Sequence, residues 1–157
     1  GRYKCITTDM RDYENGGGSV DDITAVVTYT MYVSAGFNVE EQKPNYFEST
    51  RTYLHTVTTE DIDEDGRLEM CYDYVFVNGK QTNVKINFGF YRGDVTITDR
   101  GEIIADNPIS TWSGIVVPLQ RNRETVIEGR MLTASFGTGG IGIDPGFENE
   151  IVIPWGD

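Results

Sequence analysis

Hydrophobic and polar residues alternate along most of this chain, in short segments that are separated by turn-forming residues. Alternation with a period of two places the apolar side chains on one face of a strand, whereas the three-and-four spacing typical of helices is scarce. The predicted strands cover residues 23–33, 51–59, 68–77, 82–91, 95–98, 102–105, 115–119, 124–134 and 150–153. Strands of this number and spacing predict an all-β fold, a two-sheet antiparallel β-sandwich in which each sheet turns one face inward.

The strongest turn signal is Asn78-Gly79, which separates the predicted strands 68–77 and 82–91. Both residue types tolerate the positive φ angle that a type I′ turn demands at its central positions, so we expect the two strands to form a hairpin. Strict alternation divides the first strand into one face with Leu68, Met70, Tyr72, Tyr74 and Phe76 and another with Glu69, Cys71 and Asp73.

The chain is predicted to form one folded body preceded by a short arm. Its 157 residues are enough for a single domain with a sizeable core. The triplet Gly16-Gly17-Gly18 marks a flexible loop. We therefore expect residues 1–20 to be an N-terminal arm or linker and residues 21–157 to be the β-sandwich domain.

The charge of the chain restricts its partners. With 25 acidic and 13 basic residues, the formal net charge is -12. This charge repels phosphate backbones and anionic membrane surfaces, so nucleic acid is not expected as a partner. No stretch approaches the ~20 apolar residues needed to cross a bilayer, and no signal segment opens the sequence, so an exported protein would be present here in a mature or trimmed form.

The chain has two cysteines, Cys5 and Cys71. They are a candidate disulfide that would close a long loop, and a pair of buried thiols is the alternative. A single pair does not identify the redox compartment.

An acidic segment is the candidate metal site. Asp61, Asp63 and Asp65 precede Gly66 with the D-x-D-x-D-G spacing of a calcium loop, and Glu69 occupies the ninth place. The twelfth place, where a bidentate acid is expected, holds Tyr72. An acidic hairpin turn explains the same residues, so calcium and a plain turn both stay open. No other cofactor is expected.

Catalytic signals are weak. His55 is the single histidine and lies in a Thr-rich predicted strand, and the G-x-S-x-G nucleophile motif is absent. The glycine-rich residues 137–142 lack the G-K-[ST] ending of a phosphate loop. The sequence therefore favours a protein without enzymatic activity. Arg121, Arg123 and Arg130 form a basic island. We expect these arginines to pair with acidic residues of the same chain, and pairing with a neighbouring subunit is the alternative.

Aromatic residues near predicted loops support a second hypothesis for the function. Rings exposed at such positions stack on sugars in many binding modules, although rings also close the ends of a sandwich core. The candidates are Tyr3, Tyr13, Tyr46, Phe47, Trp112 and Trp155. The alternative function that they support is a monomeric secreted carbohydrate-binding β-sandwich module.

The segment from Trp112 to Pro154 carries a longer pattern, an apolar strand followed by VPLQRNRETVIEGRMLT and an ending IGIDPGF. It resembles the closing segment of the fimbrillin superfamily, the surface-fibre subunits of Bacteroidales. The matching residues are Val117, Pro118, Leu119, Gln120, Arg121, Asn122, Arg123, Thr125, Ile127, Gly129, Leu132, Thr133, Ile143, Asp144, Pro145 and Phe147. Residues 70–91 resemble the pair of strands that leads into this segment, so the likeness is to the C-terminal domain of the family.

The resemblance implies a β-sandwich of transthyretin-like topology and a structural or adhesive role in a bacterial surface fimbria. Subunits of the family are exported as lipoproteins, so a membrane is involved only through a lipid anchor on the precursor, and the mature protein is at the cell surface. Subunits join by strand addition, in which a strand of one subunit fills an apolar groove of the next. The partners implied are other fimbrial subunits, with a host or bacterial surface receptor or glycan as a further partner.

By the same resemblance, the end of the chain is the donor or closing strand. The residues of this assembly strand are Glu150, Ile151, Val152, Ile153, Pro154 and Trp155. Alternation places Ile151, Ile153 and Trp155 on one face. The groove or core residues carried over are Val26, Tyr72, Phe88 and Ile127.

Overall fold

The computed structural model describes residues 1–31, 33–34, 36–44, 48–49, 51–133 and 147–154. Nearly all regular structure in these residues is β-strand, so the all-β prediction is confirmed. Helical structure in this part of the chain consists of α1 (Met10–Asn15) and two 3₁₀ turns, Val20–Asp22 and Thr59–Asp61. None of the described helices has the length and apolar character that a membrane span requires.

Eight strands form two four-stranded sheets, which we name sheet A and sheet B. Sheet A has the order β14 (Phe147–Pro154), β13 (Arg123–Gly129), β1 (Arg2–Thr7) and β8 (Leu68–Tyr74). Sheet B has the order β12 (Pro108–Gln120), β9 (Gln81–Arg92), β2 (Ile23–Tyr29) and β7 (Thr52–Thr56). Shorter pairs are β3 (Val33–Ser34) with β6 (Glu48–Ser49), β4 (Phe37–Asn38) with β5 (Lys43–Pro44), and β10 (Thr96–Ile97) with β11 (Ile103–Ile104).

Sheet A is mixed rather than wholly antiparallel. β1 runs antiparallel to β8 but parallel to β13, whereas each pair in sheet B is antiparallel. Parallel neighbours need a long connection between them, and most of the chain lies between β1 and β13. The prediction of antiparallel sheets is therefore wrong for this one pair.

The two sheets share one hydrophobic core. Alternate residues of β2 and β9 face residues of β1 and β8, and the ring of Tyr3 in sheet A meets the ring of Phe88 in sheet B edge to face, with centroids 6.4 Å apart. The largest fully buried side chains are Trp112, Tyr3, Tyr29, Phe88, Phe90, Ile23, Leu68, Met70, Ile86, Leu119, Met131 and Val26. A core drawn from both sheets means that each sheet depends on the other for burial of its inner face.

The predicted hairpin at Asn78-Gly79 is not formed. β8 lies in sheet A and β9 lies in sheet B, so residues 75–80 cross between the sheets. Val75 and Val77 are buried in the common core, which holds the crossing segment between the two sheets. Gly79 has a φ of 71°, but Asn78 does not adopt a positive φ, so the type I′ geometry is absent. Burial of the two valines outweighs the local turn preference.

A β-bulge changes which faces of β8 are buried. The register with β1 shifts between Cys5 and Ile6, where Met70 is the extra residue. Met70 and Cys71 are consequently both buried, while Tyr72 and Tyr74 are exposed. The predicted face with Leu68, Met70, Tyr72 and Tyr74 together is therefore wrong, because one extra residue moves every later side chain to the other face.

The prediction of an N-terminal arm at residues 1–20 is also wrong. β1 is an interior strand of sheet A, and Tyr3 and Cys5 are fully buried in the core. Beyond β1, Met10, Tyr13 and Val20 also belong to the core. An interior strand cannot be a linker, since its backbone groups pair on both sides.

Candidate assembly interface

The predicted assembly strand lies at an edge of sheet A. Residues 150–154 fall within β14, which pairs antiparallel with β13 from Arg123 opposite Pro154 to Gly129 opposite Phe147. In the part of the chain that the structure describes, β13 is the one strand with which β14 pairs. The last residue of the predicted strand, Trp155, lies outside the described residues.

A buried carboxylate ties β13 to β1 on its other side. The side chain of Glu124 is only 5% exposed and accepts a hydrogen bond from the guanidinium of Arg2. Lys4 Nζ lies 3.2 Å from the other oxygen of the same carboxylate. The Arg2 guanidinium also lies over the Tyr72 ring, 4.7 Å from its centroid, which extends the contact to β8. β1, β8 and β13 are thus connected by charge as well as by their ladders.

Asp9 holds the chain where it leaves β13. Its carboxylate accepts hydrogen bonds from the backbone N–H groups of Leu132 and Thr133, at 3.2 and 2.7 Å, and from the hydroxyls of Thr7 and Thr133. Thr7 Oγ1 accepts from the Met131 N–H at 3.0 Å. We name residues 130–133 with Thr7 and Asp9 the latch. Because buried N–H groups are costly to leave unpaired, the latch fixes the path of the chain up to Thr133.

Three tyrosines join the sheets on the β7 and β8 side. The Tyr3 hydroxyl lies 2.9 Å from the hydroxyls of Tyr29 and Tyr53, and Tyr29 donates to Asp73 Oδ2 at 2.6 Å. Arg51 donates to the same carboxylate oxygen at 2.6 Å. Burial, together with these neighbours, raises the pKa of Tyr3, Tyr29 and Tyr53 well above its usual range. The phenols therefore stay protonated and serve as hydrogen-bond donors.

The same network covers one edge of sheet A. Tyr53 donates to the backbone carbonyl of Tyr72 at 3.0 Å, and Arg51 contacts the carbonyl of Tyr74 at 3.4 Å. Tyr53 of β7 and Arg51, which directly precedes β7, thus occupy carbonyl groups of the edge strand β8, which would otherwise be open to another strand. Sheet A therefore has one edge capped by side chains and another edge formed by β14.

The candidate cysteine pair comes together, but as thiols. Cys5 and Cys71 are opposite each other in the β1–β8 ladder and both are buried and free. Burial and the neighbouring Cys71 side chain raise the pKa of the Cys5 thiol. The predicted disulfide is not formed in this structure, which instead shows the alternative, two buried thiols.

The acidic segment does not assemble a calcium site. Asp61 accepts from the Thr58 N–H, Asp63 pairs with Arg67 at 2.9 Å, and Glu69 lies 3.6 Å from Arg2. Asp65 is mostly exposed and lies 3.7 Å from Arg67. Among the described residues, no three His, Cys, Asp or Glu side chains are grouped as metal ligands. The calcium prediction from these carboxylates is wrong here, because arginines and backbone amides occupy them one by one.

The remaining candidates are spread over the molecule. His55 is partly exposed on β7, with Nε2 3.6 Å from Asp61. Arg130 pairs with Asp12 at 2.9 Å, and Arg121 donates to the backbone carbonyl of Gln42 at 2.9 Å, so two of the three arginines make contacts within the chain. The glycine-rich residues 137–142 lie outside the described residues.

The aromatic candidates for a sugar platform are not exposed where they are described. Tyr3, Tyr13 and Trp112 are buried, and Tyr46, Phe47 and Trp155 lie outside the described residues. Among the described residues, the exposed rings are instead those of Tyr72, Tyr74 and Phe76, which are 42%, 50% and 44% exposed. The Tyr72 and Tyr74 centroids are 6.1 Å apart. Of the predicted groove or core residues, Val26, Phe88 and Ile127 are buried and Tyr72 is not.

Sequence reasoning missed the latch and the tyrosine network. Asp9 and Thr133 are separated by 124 positions, and Tyr29 and Asp73 by 44. No local motif connects such residues, and the only available signal was the unusual number of tyrosines, 9 in this chain.

A family model described as "Family of unknown function (DUF6562)" matches residues 1–155. Comparisons with curated proteins and with solved structures gave no match.

Proposed function

We propose a role for this chain, which belongs to DUF6562, a family of unknown function. The proposed role is that of a non-enzymatic structural or adhesive subunit of a bacterial surface fimbria. In this proposal, subunits assemble by β-strand addition at sheet A. The partners are other fimbrial subunits, and a surface receptor or glycan is a further partner. The site of action is the cell surface, with a lipid anchor only on the precursor.

The architecture proposed is a two-sheet β-sandwich of transthyretin-like topology. Support comes from two four-stranded sheets that bury their inner faces in one core. A sandwich of this kind leaves its edge strands as the places where another chain can add a strand.

One observation carries the functional proposal: among the described residues, β14 pairs with β13 alone, at the edge of sheet A. An edge strand can be replaced by an equivalent strand of another copy, because the ladder is made by main-chain groups that every copy presents. The register from Arg123 to Gly129 gives the length of the ladder that an incoming strand would form.

The latch makes such an exchange compatible with a folded body. Asp9 holds Leu132 and Thr133, and Thr7 holds Met131, so the chain is fixed to the core up to that point. Release of β14 therefore need not disturb β13, which stays paired with β1 and linked to Arg2 and Lys4 through Glu124.

The net charge of the chain opposes association between copies. Copies with a net charge of -12 repel one another at low salt. Salt shortens the range of this repulsion to about 8 Å at physiological ionic strength, so we expect association to increase with salt concentration.

The test uses a chain that ends at residue 146 and a fluorescent peptide that copies residues 147–157. The shortened chain lacks its own β14, so we expect the peptide to bind it and to raise the fluorescence anisotropy, whereas the full chain binds far less. The matched control is the same peptide with Ile151→Pro and Val152→Pro, which removes backbone donors on both sides of the strand.

Equal binding of the peptide to both chains, or equal binding of the proline peptide, would contradict the proposal. A full chain that stays monomeric at high concentration and high salt, together with no peptide binding, would favour the sugar-binding alternative. The exposed rings that the described residues offer for that alternative are Tyr72, Tyr74 and Phe76.

A further inference from the structure

The two cysteines of the chain form a pair inside sheet A. Cys5 of β1 is directly opposite Cys71 of β8, and both side chains are fully buried. The chain contains no other cysteine, so a bond within one molecule has a single solution.

The backbone geometry suits a covalent bond. Residues opposite each other in an antiparallel pair have Cα atoms about 4.5 or 5.5 Å apart, depending on the hydrogen-bond pattern. Both values fall within the range of about 4.4–6.8 Å that a disulfide spans. The position of Cys5 and Cys71 in the ladder is therefore compatible with a disulfide between β1 and β8.

We propose that Cys5 and Cys71 are a disulfide site, and that oxidation during folding joins β1 to β8. The Sγ–Sγ bond forms as both S–H bonds break. The two protons and two electrons pass to a small-molecule disulfide such as glutathione disulfide, which is reduced to two thiols.

Burial decides when the bond can form and break. The attacking species is a thiolate, and burial raises the pKa of the Cys5 thiol, so the folded reduced chain oxidises slowly. The bond consequently forms while the chain is still folding. Once formed, it is shielded from external thiols by the core that surrounds it.

The bond would limit which strand can move. β1 would be held covalently to β8, whereas β14 would be held to β13 by its ladder. Strand exchange at sheet A would then be confined to β14. This consequence rests on the proposed function, but the bond itself does not.

The full chain is denatured and refolded in two ways, with a glutathione redox buffer and with excess reductant. Peptide mass spectrometry under non-reducing conditions should identify a Cys5–Cys71 linked peptide in the first sample only. The oxidised chain should melt about 10 °C higher than the reduced chain, as expected for a bond that closes a long loop. Dithiothreitol should reduce the bond in denaturant but not in native buffer.

The inference is overturned if, after oxidative refolding, both thiols react fully with Ellman's reagent in denaturant, or if the linked peptides join two molecules only. The controls are Cys71→Ala and Cys5→Ala, whose melting temperatures should be equal under both conditions. If one variant does not fold, the other variant and the unmodified chain still decide the result. Identification of the linked peptide by mass spectrometry does not depend on association between copies of the chain. A failure of the peptide-binding test therefore leaves this inference intact.

Discussion

β1 and β14 lie in the same sheet but are held in different ways. β1 pairs with β8 on one side and β13 on the other, and Tyr3 and Cys5 reach into the common core. Arg2 and Lys4 of the same strand contact Glu124 of β13. β14 has the β13 ladder as its described strand pairing.

The comparison shows that position in the sheet, rather than apolar character, separates the two strands. Both segments read as short apolar or alternating runs in the sequence. An interior strand contributes to two ladders and to the core, so its loss removes the support of both neighbours. An edge strand contributes to one ladder, which makes it the strand that a partner chain can replace.

The largest effect is expected from removing each strand in turn. A chain that starts at Thr8 should show no cooperative unfolding transition, because β8 and β13 then lose their shared partner and Tyr3 and Cys5 leave the core. A chain that ends at residue 146 should keep a cooperative transition and its near-ultraviolet circular dichroism. Equal loss of cooperativity in both chains would remove the distinction between β1 and β14.

The second effect comes from alkaline pH, which acts on the attachment of β1. Burial raises the pKa of Tyr3, Tyr29 and Tyr53 above the ordinary value of 10.0. Above about pH 10 the unfolded chain loses these protons while the folded chain retains them, so stability falls as pH rises. Each tyrosine contributes about 1.4 kcal/mol per pH unit, or about 4 kcal/mol per unit together.

Tyrosinate absorbance and circular dichroism should therefore change together in one alkaline transition. The variant Tyr3→Phe has one phenol fewer, so its free energy of unfolding should fall less steeply with pH, by about 1.4 kcal/mol per unit. Titration of all tyrosines near pH 10 in a protein that remains folded would contradict this account of the network.

The smallest effect of the three concerns the charge contact between β1 and β13. Glu124→Gln leaves Arg2 and Lys4 without the carboxylate that they share at a site only 5% exposed, so we expect a loss of about 3 kcal/mol in the free energy of unfolding. Urea denaturation measures this loss. The matched control is Asp12→Asn, since the Arg130–Asp12 pair is 52% and 60% exposed and should contribute less than about 1 kcal/mol.

If both substitutions lower the free energy of unfolding by the same amount, the Glu124 contact stabilises the protein no more than an exposed ion pair does. The difference between β1 and β14 would then rest on their ladders and on the core alone.

The failed predictions have a common cause in distant packing. Asn78-Gly79 has the composition of a hairpin turn, but Val75 and Val77 gain more by entering the core than the turn gains from its preferred geometry. Residues 1–20 look like an arm because they contain the glycine triplet Gly16-Gly17-Gly18. β1 nevertheless finds its partners at β8 and β13, far along the chain.

The candidate site was predicted unevenly for the same reason. The ending strand at residues 150–153 was visible as an alternating segment, and β14 includes it. The carboxylates of the calcium pattern have the right spacing, yet Asp63 and Glu69 contact arginines instead of a common centre. The spacing of acidic residues along a chain identifies metal ligands only when the local backbone brings their carboxylates together. The backbone of this segment does not do so.

The pattern of alternating residues was enough to predict strands and an all-β protein, because strand periodicity is a local property. Which strands pair, which sheet each one joins and which edge stays open depend on contacts between residues far apart. Register with a partner, and a single bulge at Met70, then decide whether Tyr72 is buried or exposed. Those choices minimise exposed apolar surface for the whole chain, which no short segment can specify.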